Sequence, residues 1–150
     1  MTGSIDDIDK KILYEYIKDS RLSYREIAKR VNVAVGTVMV RTQKLQDNGT
    51  IKGYSAIIDH EKIGYQITAL IEIVVSKGKL LEMEKKIAEL DGPCMVYDIT
   101  GNTDAVIIGK FRNRDELSDF IKHVLSMPFV ERTNTHLVLT TVKEDMRIYP

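Results

Sequence analysis

The chain has 150 residues, of which 43% are hydrophobic and 29% are charged, as in one packed domain or two small ones and unlike a disordered chain. Its single cysteine excludes an intramolecular disulfide framework and zinc sites built from several cysteines. The sequence shows neither an apolar run long enough to span a membrane nor a signal-peptide layout, so we expect a cytoplasmic protein without a membrane partner.

The net charge of zero hides an uneven distribution along the chain. The 22 basic and 22 acidic residues cancel overall, but residues 20–54 hold seven basic residues against two acidic ones. Residues 1–19 hold three basic residues against five acidic ones. Neutrality therefore does not exclude a nucleic-acid partner, because the basic charge is gathered in one segment.

Apolar residues recur at helical spacing three times within the first fifty residues. The second pattern begins at Ser23-Tyr24-Arg25-Glu26, where Ser23 can cap the helix and Glu26 can reach back to the chain before it. The third pattern ends at Asn48-Gly49. The three apolar stripes are Ile8, Ile12, Leu13, Tyr16 and Ile17; Ile27, Ala28 and Val31; and Val38, Thr42 and Leu45.

The second and third helices and the short turn between them predict a helix-turn-helix. Ala28 is small where the two helices would cross, and Asn32 tolerates the left-handed conformation that the turn requires. Val33 and Val38 supply apolar anchors under the turn. A three-helix bundle without a nucleic-acid role fits the same pattern. The basic charge of the segment favours DNA, because phosphate neutralisation supplies most of the sequence-independent affinity.

After a predicted linking strand at Ile51–Ile58, the pattern changes from about residue 63 onward to strands and helices that alternate. The breaker Gly101-Asn102 predicts a hairpin. The order β-α-β-β-α-β is a split βαβ arrangement with both helices on one face of the sheet. The predicted strands are Gln66–Ser76, Cys94–Thr100, Thr103–Phe111 and Thr133–Val142, and the helical stripes are Leu80, Met83, Ile87 and Leu90, then Leu117, Phe120, Ile121, Val124 and Leu125.

The predicted sheet is apolar on both faces. Residues 105–108 are continuously apolar, and in the first strand Leu70 and Val74 point away from Ile71 and Ile73. Two helices can cover only one face, so the other face must meet a partner, most simply a second copy of the chain. We therefore predict a homodimer formed through this sheet.

From about residue 5 to residue 144 the chain resembles the leucine-responsive/asparagine-regulator (Lrp/AsnC) family of prokaryotic transcription regulators. The resemblance implies an α+β fold, with an N-terminal helix-turn-helix (winged-helix-like) domain and a C-terminal βαββαβ ferredoxin-like domain that dimerises and senses amino acids. The corresponding boundaries are 1–50, a linking strand or hinge at 51–62, and 63–150. The segments that carry the resemblance are Asp6–Leu13, Ser23–Ala28, Thr37-Val38 with Arg41 and Leu45, Gly49–Ala56, Thr100–Asp104 and Val130–Thr135.

Double-stranded DNA is the partner that this resemblance implies. Arg41 suits guanine or phosphate, and Gln43 suits adenine, whereas Met39, Val40 and the Thr37 methyl suit thymine methyl groups. Few of these are polar base readers, so we expect modest base specificity and a large contribution from A·T-rich shape. The alternative for Arg41 is a brace within the helix bundle, and the alternative for the lysines is a solvated surface. The candidate DNA-binding residues are Arg21, Arg25, Gly36, Thr37, Met39, Val40, Arg41, Gln43, Lys44 and Lys52.

A free amino acid is the effector that the resemblance implies, and the Gly101–Asp104 turn is its candidate site. Its simpler interpretation is an ordinary hairpin turn. Backbone amides near Gly101 suit a carboxylate, and Asp104 suits an ammonium group. Hydroxyl groups from a neighbouring subunit would complete the site. The candidate effector residues are Gly101, Asn102, Thr103, Asp104, Thr133 and Thr135.

Dimers of this family commonly assemble further, often into octamers, and we expect the same of this chain. The three histidines are scattered, so we expect no metal, and no motif indicates another cofactor or a catalytic centre. Two alternatives remain at this point. One is an enzyme similar to the sirohaem decarboxylases, which resemble this family in both domains, and the other is an architectural protein that compacts DNA.

Overall fold

The computed structural model describes residues 5–76 and 80–150, and the chain divides into two units. The first unit consists of Met1–Ile57 together with Lys143–Pro150, and the second consists of Ile58–Val142. No helix among the described residues is long and apolar enough to cross a membrane. The α+β class predicted from the sequence is confirmed, with the helix-turn-helix in the first unit and the antiparallel sheet in the second.

The first unit contains α1 (Asp7–Lys18), α2 (Tyr24–Val31) and α3 (Val35–Asp47). The predicted capping box of α2 is present, since the Glu26 backbone N–H donates to Ser23 Oγ (3.3 Å) and the Ser23 N–H donates to Glu26 Oε2 (2.8 Å). The chain leaves α2 through Asn32, whose φ of 59° and ψ of 53° are left-handed as expected. The helix α3 begins after Ala34 without a side-chain cap, as the sequence indicated.

The apolar stripes of the three helices meet in one small core. Ile12, Ile27 and Val38 are fully buried there, one from each helix. The position in the α3 stripe that the sequence fills with Thr42 is also fully buried. Its hydroxyl lies 3.4 Å from the hydroxyl of buried Tyr16, so the polar atom is satisfied inside the core.

The second unit contains a four-stranded antiparallel sheet in the order β2-β3-β1-β4, with two helices. A short 3-10 helix precedes it at Glu61–Ile63. Every predicted strand and helix of this half is present among the described residues, with shifted ends. The elements are β1 (Ile67–Val75), α4 (Leu80–Ala88), β2 (Pro93–Asp98), β3 (Ala105–Phe111), α5 (Arg114–Ser126) and β4 (Val130–Leu137).

Alternating burial along β1 shows which face of the sheet the helices cover. Ala69, Ile71, Ile73 and Val75 are buried, whereas the residues between them are only half-buried. The buried face packs with apolar residues of both helices and of β3 into one core cluster. The helix residues in this cluster are Met83 and Ile87 of α4 and Leu117, Phe120 and Val124 of α5, and the side chain of Leu80 lies outside the described residues.

Two predicted strand positions are wrong. Ile51–Ile58 is not a strand, because a strand needs a ladder partner and this segment pairs with no other described part of the chain. The last strand ends at Leu137 instead of Val142. Its neighbour β1 begins at Ile67, and the Val138 N–H bonded to the Thr68 carbonyl (2.9 Å) is the last bond of the pair. Leu139 and Val142 lie beyond it and are exposed.

Candidate nucleic-acid interface and ligand-binding turn

The surface of α3 that faces away from the core is the first candidate site. Val38, Thr42 and Leu45 are the buried residues of this helix, so Gly36, Val40 and the residues beside them lie on the opposite side. We call this surface, formed by Val35, Gly36, Met39, Val40 and Gln43, the outward face of α3. All five residues are exposed. A helix that follows a turn and presents such a face has the geometry of a recognition helix.

Arg41 lies away from the outward face and is held by two carboxylates of α1. Its Nη1 donates to Asp9 Oδ1 (3.0 Å) and also to Asp6 Oδ2. Asp6 is the N-cap residue of α1, and Asp9 closes the capping box and is only 1% exposed. The hydrogen bond from Arg41 holds the pKa of Asp6 below its ordinary value. The geometry matches the alternative of an internal brace that the sequence left open.

The other candidate basic residues lie on the surface of the first unit. Arg25, Lys44 and Lys52 are exposed. Arg21 is exposed as well and is paired with Asp19 through Nε and Oδ1 (2.9 Å), and this pairing lowers the pKa of Asp19 to about 2. A phosphate that approaches Arg21 must therefore compete with a carboxylate, whereas no ion pair of the other three is seen among the described residues.

The remaining polar residues of α3 are partly engaged. The Gln43 amide donates from Nε2 to Asp47 Oδ1 (2.8 Å) one helical turn later. Thr37 is half-buried. Val35 is a member of the outward face that the sequence analysis missed, and its place in the first helical turn, directly after the N-cap position, was the signal that could have found it.

The Gly101–Asp104 turn is the second candidate site, and Asp104 fastens it to the sheet. The Asp104 N–H donates to the Ile73 carbonyl (2.9 Å), and the Asp104 carboxylate accepts from the Val75 N–H through Oδ2 (2.8 Å). Gly101 has a φ of 130°, a conformation that glycine adopts without strain. One carboxylate oxygen is thus used to hold the end of β1, and the turn keeps a defined shape next to it.

Thr133 and Thr135 are not brought to this turn within one chain. They are paired with Ile73 and Ile71, and Ile73 in turn is paired with Ala105 of β3. The whole width of β1 therefore lies between Thr133 and the strand that follows the turn, about 10 Å across two strand spacings. A site that used both sets of residues would need the threonines of a second chain.

Glu84 of α4 lies near Asp98, the residue that ends β2 before the turn. Its Oε1 is buried with no hydrogen-bond partner among the described residues. Burial raises the pKa of Glu84, and the negative charge of Asp98 raises it further. The folded protein therefore disfavours the ionised carboxylate, and it loses stability as the pH rises through the folded pKa of Glu84.

Substituting Glu84→Gln should raise Tm at pH 7 by about 2 °C, because the amide carries no charge to desolvate. The gain should vanish near pH 3, well below the ordinary glutamate pKa of 4.5, where Glu84 is protonated in both the folded and the unfolded chain. Thermal unfolding followed by circular dichroism at both pH values measures it. The matched control is Glu89→Gln, an exposed residue directly after the end of α4, and this substitution should leave Tm unchanged. A gain of equal size at both pH values would contradict the desolvation argument.

The described residues contain no cluster of three or more His, Cys, Asp or Glu side chains that could hold a metal ion. The one cysteine, Cys94, is exposed and forms no disulfide.

Comparison with known proteins gives matches to both halves of the chain. Residues 68–148 match the family model of the Lrp/AsnC ligand binding domain, and residues 5–52 match that of a winged helix-turn-helix DNA-binding domain. An uncharacterized HTH-type transcriptional regulator of Pyrococcus furiosus is 51% identical over 146 residues, which cover 97% of this chain and 99% of the relative.

Solved structures match the whole fold. AsnC of E. coli is 26% identical, with a TM-score of 0.89 over 98% of this chain and 99% of that one. A transcriptional regulator of Neisseria meningitidis, solved as a complex with L-Met, is 23% identical, with a TM-score of 0.87 over 97% of this chain and 96% of that one.

Proposed function

The chain belongs to the Lrp/AsnC family of transcription regulators, and from this membership we propose how its two units work. The outward face of α3 enters the major groove of double-stranded DNA, two chains pair through the open face of the sheet, and the Gly101–Asp104 turn binds a free amino acid. The protein regulates by binding and carries out no reaction. Because DNA is its partner, it acts in the cytoplasm.

The exposed outward face of α3 within a basic segment is the observation that carries the DNA-binding proposal. Residues 20–54, the segment that contains α3, hold seven basic residues against two acidic ones. Arg25, Lys44 and Lys52 are exposed and serve as phosphate contacts. Arg41 orients α3 against α1 through its ion pairs with Asp6 and Asp9, and we assign it a positioning role.

Salt dependence of DNA binding tests the phosphate contacts. Each neutralised phosphate adds about −0.9 to the slope of log K against log salt concentration. Lys44→Ala and Arg25→Ala should each make the slope shallower by about one unit and weaken binding to all sequences alike. Fluorescence anisotropy titrations across a salt series measure the slope.

The matched control for these two variants is Lys122→Ala, which removes the same charge from an exposed residue of α5 in the second unit. Its slope should equal that of the unchanged protein. If Lys44→Ala and Arg25→Ala also keep the original slope, these residues contact no phosphate. Nuclease footprinting on the same duplexes separates a regulator, which protects discrete sites, from an architectural protein, which covers DNA uniformly.

The open face of the sheet supports the homodimer. Opposite the helices, apolar residues of three strands lie side by side, with half-buried Leu70 paired to half-buried Ile108, and half-buried Val106 paired to Tyr97, which is 45% exposed. Polar side chains on this face bond within the chain, since Glu72 Oε2 accepts from Asn134 Nδ2 (3.0 Å) and Thr68 Oγ1 accepts from Lys110 Nζ (3.2 Å). An isologous contact between two such faces buries the apolar residues of both chains. Dimers of this kind then assemble further, and we propose an octamer as the largest form.

The Gly101–Asp104 turn supports the amino-acid effector, because its defined shape combines backbone amides with a carboxylate. The Neisseria meningitidis regulator that shares this fold was solved as a complex with L-Met, which supports an amino acid as the ligand. Thr133 and Thr135 join the site from a neighbouring chain, since the width of β1 separates them from the turn of their own chain.

A thermal-shift screen across the twenty amino acids tests this site. One amino acid, or a chemically related few, should raise Tm by several degrees at millimolar concentration, because a ligand that binds only the folded state stabilises it. Asn102→Ala should weaken that shift while it leaves Tm without ligand unchanged, since Asn102 is exposed and outside the sheet. A screen in which no amino acid changes Tm would contradict the effector proposal and leave DNA binding untouched.

A further inference from the structure

The outward face of α3 is unusually apolar for a surface that meets DNA. Met39 is 52% exposed and Val40 is 63% exposed, and Val35 one turn earlier is 45% exposed. Single exposed apolar residues are ordinary on protein surfaces, but these three lie within six consecutive residues of one helix. They lie in the basic segment of the chain, so the charge around them suits a polyanion and the face itself suits apolar groups.

Two polar side chains of α3 that could read bases are bound to other residues of the protein. Arginine reads guanine through a bidentate contact, but Arg41 is bound to Asp6 and Asp9. The amide of Gln43 is bound to Asp47. In the major groove the one apolar group that marks a base is the C5 methyl of thymine. The chemistry of the outward face therefore matches thymine.

We propose that Met39 and Val40 read thymine methyl groups in the major groove, and that these contacts give the protein its preference among DNA sequences. The inference rests on the proposed function, in which α3 enters the groove, and it names what that helix recognises. Gly36 supports a close approach on the same face, because an added Cβ there would meet no protein atom within 4 Å. Packing within the protein therefore does not require a glycine at this position. In the proposed complex, the missing side chain lets a base edge come close to the backbone.

Four short duplexes that differ only in major-groove methyl groups test the proposal with the full chain. They are an alternating A·T duplex, the same duplex with uracil in place of thymine, an alternating G·C duplex, and the same duplex with 5-methylcytosine. Anisotropy titrations at one salt concentration give the four dissociation constants. The A·T duplex should bind at least about fourfold more tightly than the A·U duplex. A gain in affinity of about fourfold is what burial of one methyl group provides. The 5-methylcytosine duplex should likewise bind more tightly than its unmethylated counterpart.

Two variants assign the effect to the named side chains. Val40→Ser and Met39→Gln should each reduce the ratio of A·T to A·U affinity toward one, because each removes an apolar contact that only a methylated base can make. Both residues are exposed, so the fold should be retained, and circular dichroism checks this. The matched control is Leu81→Ser, another exposed apolar residue on α4 of the second unit, which should leave the ratio unchanged.

The outcomes separate the inference from the function on which it rests. Equal affinity for the A·T and A·U duplexes would overturn methyl recognition and leave DNA binding standing. A ratio that survives in both variants would show that the duplexes differ in shape or flexibility, and it would overturn the assignment to Met39 and Val40. Failure to bind any of the four duplexes at low salt would overturn the proposed function itself.

Discussion

Replacing Arg41 by leucine should lower Tm of the first unit by about 10 °C, although the residue lies on the helix that we expect to contact DNA. The reason is Asp9, whose carboxylate is almost completely buried and faces the Arg41 guanidinium at 3.0 Å. Removing the cation leaves a buried carboxylate whose one remaining hydrogen bond among the described residues is from the Asp6 N–H (3.2 Å), and a buried charge without a counter-charge is one of the costliest results of a single substitution. Far-UV circular dichroism during heating measures the shift.

A double substitution makes this prediction specific to the pair. Asp9→Asn alone should lower Tm less than Arg41→Leu does, because it removes the buried charge itself. The variant that carries both changes should therefore be more stable than Arg41→Leu alone, and this reversal is the signature of an unpaired charge. Arg21→Leu is the matched control, since its pair with Asp19 is on the surface and contributes little. If Arg41→Leu unfolds at the temperature of the unchanged protein, the ion pairs of Arg41 do not stabilise the first unit.

Acid should weaken the same cluster. The Arg41 hydrogen bond lowers the pKa of folded Asp6 below its ordinary value of 3.8, so the stabilisation is fully present above that value. It is lost as the pH falls through the lower pKa of the folded state. The largest part of this acid dependence comes from Arg41 and should disappear when Arg41 is replaced, whereas the part due to the backbone N–H groups of Ile8 and Asp9 should remain.

The contrast between Asn32 and Arg41 shows which parts of this structure a sequence can predict. Asn32 adopts the left-handed conformation that the local turn requires and that an asparagine side chain tolerates, so the sequence around the turn was enough to predict it. Arg41 bonds to Asp6 and Asp9, which lie more than thirty positions earlier in the sequence, and only the packing of α3 on α1 brings them together. Helical spacing identified the face of α3 correctly but left the partner of its arginine open.

The strand ends show the same distinction between local pattern and pairing. Alternation predicted where β1 lies to within one residue at each end, since its apolar residues must reach the core. The end of β4 depends on how far β1 extends beside it, which composition does not encode. Ile51–Ile58 has strand composition but no ladder partner in its own chain, and composition alone cannot supply one.

The candidate sites divide in the same way. The glycine of the Gly101–Asp104 turn and its hairpin were predictable from a short motif. The bond from the Val75 N–H to the Asp104 carboxylate was not, because it joins residues 29 positions apart. That bond leaves Asp104 with a structural task as well as the proposed ammonium contact, and for this reason Asn102 is the better residue for testing ligand binding.

Substituting Leu70→Asp should convert the proposed dimer to a monomer at micromolar concentration. Leu70 lies on the open face of the sheet beside Ile108, and it is half-buried in the single chain. A charge there remains within reach of water in the monomer, so the fold should persist. In a twofold-symmetric contact one substitution places two carboxylates in the same apolar interface, and we expect the dimer to weaken at least about a hundredfold.

Sedimentation velocity across a concentration series measures the change in assembly. Leu81→Asp introduces the same charge at an exposed position of α4, outside the open face, and should leave the dimer intact. Higher assemblies should be lost together with the dimer in Leu70→Asp, because they are built from it. A Leu70→Asp protein that still sediments as a dimer would place the contact elsewhere on the chain. An unchanged protein that sediments as a monomer would overturn the proposed dimer itself.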